Sequence, residues 1–101
     1  MSRRLEKSLE SVFRKNIHSV GGLAIKLPAN LYRGIPDRLV ILPGAKIRFV
    51  ELKTDTGTLS KHQIIFRRRL FTLGFPVDIV SGKDELETWI KEHLSDVESP
   101  I

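Results

Sequence analysis

Cysteine is absent from the 101-residue chain, and that absence removes disulfides and thiolate metal sites together. Any metal must then sit on oxygen or imidazole. The three histidines, His18, His62 and His93, stand at no metal-ligand spacing and read as surface or packing residues. No apolar run approaches the length of a membrane span. The basic start, Arg3 and Arg4, leads into an amphipathic pattern rather than an apolar signal core. Internal repeats and low-complexity segments are missing too. Acid is the scarcer charge: 12 Asp and Glu stand against 17 Lys and Arg, a net +5, with an isoelectric point near 9.9. That balance suits a polyanionic partner, because neutralising phosphates releases counterions, although many small soluble proteins are basic without binding one.

What is present suffices for one core and no more. Hydrophobic residues make up 41% of the chain, which excludes global disorder, and this length leaves no room for a second core. A single domain over residues 1–94 with a loose polar tail over 95–101 is expected. Leu5, Leu9, Val12, Phe13, Ile17 and Val20 recur at helical spacing across 3–20. Gly21-Gly22 ends that helix. A short strand follows over 23–27, then a loop with two prolines and Gly34 from 28 to 36. Strands at 37–42 and 46–53 flank a turn at Pro43-Gly44-Ala45. A helix over 61–73 stops at Gly74, a strand covers 76–80, and a last helix covers 83–94. The order is α-β-β-β-α-β-α, an α/β fold with a mixed sheet flanked by helices.

Both middle strands are apolar on each face, which predicts central strands covered on both sides. In 46–53, Ile47 and Phe49 point one way and Val50 and Leu52 the other. Glu51 and Lys53 share the face of Ile47 and Phe49, where charge is costly unless paired or metal-bound. On the preceding strand Asp37, Leu39 and Ile41 share a face. A three-residue turn pairs Leu42 with Lys46, and Asp37 then falls opposite Glu51 with side chains on one face. The same register matches Leu39 with Phe49 and Ile41 with Ile47, whereas a one-residue slip would scatter both sets. Two adjacent carboxylates repel unless a cation lies between them. An oxygen-only site of this kind fits Mg²⁺ or Mn²⁺, with Lys53 placed to orient or deprotonate an attacking water. Taken separately, a Glu-x-Lys is commonly a solvated ion pair and Pro-Asp commonly opens a turn. It is the pairing that points to phosphodiester chemistry.

The run Gly34-Ile35-Pro36-Asp37-Arg38, then Pro43-Gly44, Val50-Glu51-Leu52-Lys53, Gly57, Leu59-Ser60 and Gln63 resembles the virus-type replication-repair nuclease (VRR-NUC) family of the PD-(D/E)XK nuclease superfamily. The resemblance spans about residues 6 to 80 and rests on the ordered series. It implies a restriction-endonuclease-like core and a metal-dependent endonuclease. By position it makes Asp37 and Glu51 the metal-binding acids, Lys53 the catalytic lysine, and the backbone carbonyl of Leu52 a further donor to Mg²⁺ or Mn²⁺. The family's first-helix glutamate falls on Glu10, with Glu6 one turn earlier as the alternative. The family's glutamine falls on Gln63, which the resemblance places at the site or the substrate. Ser60-Lys61-His62-Gln63 also spells a capping box, and both roles are compatible.

Lys26, on the second face of its strand, and Arg33 and Arg38, flanking the acid-bearing loop, are candidate DNA contacts. Arg67-Arg68-Arg69 spreads around its helix and reads as a solvated face. That helix carries Leu59, Phe66, Leu70 and Leu73 on one surface and Ile64 and Phe71 opposite, more than a small monomer can bury. A homodimer is therefore expected. Small stand-alone members of the family resemble junction-cutting dimers, so branched DNA such as a four-way junction is the expected substrate. The setting is the cytoplasm of a bacterium or a phage-infected host cell. The competing readings are a non-catalytic nucleic-acid-binding module on a nuclease fold, and a basic interaction module with accidental motif matches.

Overall fold

Alternating hydrophobicity and helical stripes resolve into seven elements in a computed structural model, which describes residues 2–54, 58–95 and 97, and of residues 2–6 the backbone only. Gly57 and most of the tail from Ser95 lie outside the described residues. The elements are α1 (Ser2–Ser19), β1 (Leu23–Lys26), β2 (Arg38–Leu42), β3 (Lys46–Lys53), α2 (Lys61–Thr72), β4 (Val77–Ser81) and α3 (Gly82–Leu94). This is the order read from the sequence, with boundaries shifted by a residue or two.

The four strands form one sheet in the order β1-β2-β3-β4. β1 pairs antiparallel with β2, and β2 with β3, while β4 joins parallel to β3 after the α2 crossover. The β2–β3 hairpin turns through Pro43-Gly44-Ala45, with Gly44 and Ala45 both at positive φ. Leu42 pairs with Lys46, Ile41 with Ile47 and Leu39 with Phe49, so the three-residue turn and the register it implies are both present.

One face of the sheet carries the core. Phe13 and Ile17 of α1 meet Val40, Leu42, Val50 and Val80 of the strands, and Leu86, Trp89 and Leu94 of α3 close the cluster. Phe13 and Trp89 stack with ring centroids 5.1 Å apart. The α1 stripe runs through Leu9, Phe13, Ile17 and Val20, while Val12 lies off it and is exposed. Gly21, at φ +82°, ends the helix. Its N–H and that of Gly22 donate to the carbonyls of His18 and Ile17.

The second face differs from expectation. Leu39, Ile41 and Phe49 are half-buried there, and Ile47 is 49% exposed. The described residues form three helices, two of them on the core face, and α2 meets the sheet chiefly at β4. It cannot cover β1 to β3 as well. Leu70 of α2 is buried, and Phe66 packs edge-on against Tyr32 with ring centroids 5.1 Å apart. Leu73, assigned to the same inward surface, is instead exposed beyond the helix end.

Candidate active site

The hairpin register continues one step beyond β2, and that step brings Asp37 level with Glu51. The backbone N–H of Leu52 donates to Asp37 Oδ1 at 3.2 Å, which ties the loop acid to the strand carrying the second acid. Glu51 is 5% exposed, and Lys53 Nζ lies 3.6 Å from its Oε2. These groups line a cleft of about 390 Å³ together with Glu10, Lys26 and Arg38. Acids from α1, from the loop before β2 and from β3 thus share one depression.

The electrostatics of that depression are unbalanced for its two central acids. Burial raises the Glu51 pKa to about 7, and the neighbouring Asp37 charge pushes the same way, with Lys53 only partly offsetting them. Burial also raises Asp37 above its usual range, against Arg38, the Leu52 amide, Lys53 and Lys26. The protein places two carboxylates side by side, and burial outweighs the cations beside them, Lys53 at Glu51 and Arg38 at Asp37. A hard divalent cation is the partner such a pair fits. Among the described residues, no three acidic or histidine side chains converge closely enough to form a complete metal cage. Two adjacent carboxylates are donors of the kind that hard, water-retaining ions such as Mg²⁺ and Mn²⁺ accept.

The other expected site residues divide. Glu10 reaches the cleft, but its Oε2 lies 3.0 Å from Arg38 Nη2. The side chain of Glu6 lies outside the described residues. Lys26 lines the cleft. Arg38, expected on the DNA-facing surface, has its side chain only 7% exposed; its Nη1 donates to the Asp37 carbonyl at 3.0 Å. Strand alternation carried the signal, since Arg38 must point opposite to Asp37, toward α1. Arg33 and Gln63 line a separate depression with Asn30, Gly34 and His62. Gln63 accepts there from the Ser60 N–H at 2.8 Å, and its own N–H donates to Ser60 Oγ at 3.2 Å. The capping box is present, and Gln63 is not among the residues lining the acid cleft. Leu9 and Thr54 also line the cleft without any sequence signal beyond their neighbours.

This combination, a mixed sheet whose central hairpin presents an Asp and a Glu-x-Lys at the mouth of one cleft, defines a nuclease-type architecture. No family model matches the chain. A protein of Acyrthosiphon pisum secondary endosymbiont phage 1, "Putative nuclease p44", is 38% identical over 79 residues, covering 78% of this chain and 85% of its own. A solved structure described as a VRR_NUC domain superposes with a TM-score of 0.78 at 29% identity, covering 87% of this chain and 96% of the other. The chain belongs to the VRR-NUC family of nucleases.

Proposed function

We propose that this protein is a divalent-metal-dependent, structure-specific DNA endonuclease that hydrolyses phosphodiester bonds in branched DNA such as four-way junctions. The observation carrying this reading is the pair of under-compensated carboxylates, Asp37 and Glu51, beside Lys53 in one cleft. Asp37, Glu51 and the Leu52 carbonyl would hold Mg²⁺ or Mn²⁺. When bound, the ion lowers the pKa of water and offsets charge on the scissile phosphate. Lys53 orients the attacking water at its ammonium and stabilises the negative charge that grows opposite it. Lys26, at the same cleft, is placed to bind a phosphate flanking the cut. Arg33 is exposed beside the α2 N-terminus and serves a more distant phosphate. Gln63 supports the substrate side from its helix cap.

The second half of the proposal is a homodimer, which gives two active sites for two strands. Its support is apolar surface that one copy leaves uncovered: Phe71 and Leu73 are each 71% exposed, and Ile64 and Ile65 of α2 and Ile47 of the open sheet face are exposed as well. Of these, Ile64 and Phe71 line one depression, and adjoining exposed apolar side chains are what an interaction surface presents. A monomeric mass by light scattering at micromolar concentration would overturn the dimer. The phage origin of the relative supports action on DNA in the cytoplasm of a bacterial or phage-infected cell.

The deciding experiment incubates the protein with labelled four-way junction, flap and linear duplex under Mg²⁺, Mn²⁺ or EDTA. We expect metal-dependent cleavage ranked junction first, and lost in Asp37→Ala and Lys53→Ala. A gel shift without cleavage would transfer the assignment to a binding module. Neither binding nor cleavage would end the nucleic-acid reading.

A further inference from the structure

Arg38 is the most deeply covered charged side chain at the cleft apart from Glu51. It contacts acids from two distant parts of the chain. Its Nη2 lies 3.0 Å from Glu10 Oε2 on α1, and its Nη1 lies 3.0 Å from the Asp37 carbonyl and 3.7 Å from Asp37 Oδ2. A guanidinium stays charged at any working pH and donates in a fixed planar fork. Arg38 therefore serves as a fixed donor to oxygen. Covered as it is, it has no free face for a phosphate.

We propose that Arg38 is a positioning residue that holds Glu10 out of the metal ion's coordination, so that the cleft takes one divalent ion, on Asp37 and Glu51. This rests on the reading of the cleft as a metal-dependent nuclease centre. The charge inventory supports it. The lining holds three acids, Glu10, Asp37 and Glu51, against three bases, Lys26, Arg38 and Lys53. One of those acids is already matched by a permanent cation at contact distance. For a second ion to bind, Glu10 would have to leave Arg38, and the covered guanidinium would lose its nearer carboxylate and keep only the Asp37 carbonyl and the Asp37 carboxylate at 3.7 Å. The Glu10 side chain is 37% exposed and could move at little cost, so the penalty falls on Arg38, whose side chain is 7% exposed and whose guanidinium would be left with fewer acceptors. The two remaining acids, Asp37 and Glu51, line the same cleft and are left to the ion.

The test is a Mn²⁺ titration of the full chain without DNA, read by the electron paramagnetic resonance signal of free Mn²⁺ and by calorimetry. Native protein, Glu10→Gln, Arg38→Met, the double variant and Asp37→Asn are compared. We expect native protein to bind one ion, and Glu10→Gln to bind one ion with an affinity changed by no more than about threefold, well short of the loss of a direct ligand. Arg38→Met frees Glu10 and should bind about tenfold tighter or take a second ion, since an added carboxylate favours the cation. The double variant should return to one ion at near-native affinity. A loss of about tenfold or more in Glu10→Gln, with its melting temperature kept, would make Glu10 a direct ligand and overturn the proposal. Unchanged stoichiometry and affinity in Arg38→Met would overturn it equally. If Arg38→Met does not fold, the double variant, in which neither charge is stranded, and Glu10→Gln still decide the matter. Absence of Mn²⁺ binding in native protein, or binding undiminished in Asp37→Asn, would instead overturn the nuclease-centre reading beneath it.

Discussion

The sheet carries two carboxylate centres that the protein treats in opposite ways. Asp78 on β4 receives Arg48 in a two-pronged ion pair, with Nη2 at 2.9 Å from Oδ1, and the Trp89 indole N–H donates to its Oδ2 at 2.9 Å. Burial pushes its pKa up, but those donors outweigh burial and hold Asp78 below the usual carboxylate range. Asp37 and Glu51 are also covered, yet both are pushed up. One centre has its charge answered by the protein and joins β3, β4 and α3. The other is left under-compensated at the mouth of a cleft. A buried acid that the fold has already satisfied is structural, and one it leaves wanting is poised for a ligand.

The largest effects should separate the two centres by what each loses. Asp37→Asn should lower metal-dependent cleavage of a four-way junction by about a hundredfold or more, since it removes a group that acts in the transition state. Its thermal melting in EDTA should stay near native, and the rise in melting temperature that Mn²⁺ gives native protein should vanish. Asp78→Asn should do the reverse. It should destabilise the fold by about 2–3 kcal/mol in urea unfolding, because a charged pair loses one partner, while the folded fraction still cuts DNA at a native rate. If Asp78→Asn abolishes cleavage in fully folded protein, the division between the centres is wrong.

The next effect concerns acidity, and the two centres should give opposite slopes. Glu51 has a folded pKa of about 7, raised from 4.5. Its contribution is fully present below the unfolded value and is lost as pH rises through 7. Metal-free native protein should therefore weaken between pH 5 and 8, and Glu51→Gln should flatten that decline. Asp78 is depressed, so its contribution is present above the unfolded value and is lost as pH falls through the folded one. Asp78→Asn should remove that acid-side loss. Denaturant unfolding across pH in EDTA reads both slopes. A smaller change is Trp89→Phe, which removes one of the three hydrogen bonds Asp78 accepts, leaves a small cavity beside Phe13, and should cost about 1–2 kcal/mol with no effect on cleavage.

Legibility in the sequence followed the range of the interactions. The hairpin register was readable because a three-residue turn and two apolar faces allow only one pairing, and that pairing delivered Asp37 to Glu51. The capping box was readable because Ser60 and Gln63 are three residues apart. Arg48 and Asp78 lie thirty residues apart, with no local pattern joining them, and their ion pair was invisible. The burial of Arg38 follows from its strand face rather than from its charge. The half-open second face was missed because apolar alternation records which side chains avoid water, not whether a helix of the same copy covers them.

The turn at Pro43-Gly44-Ala45 sits five pairing steps from the acids it aligns, roughly 17 Å at about 3.4 Å per residue. It works as a ruler for a site it never touches. Adding or deleting one residue there would shift the pairing by a step and turn Asp37 away from Glu51. Length changes should be tolerated in the 28–36 loop far better than at this remote bend, which makes an otherwise ordinary surface turn one of the least suitable places in the chain for an inserted label.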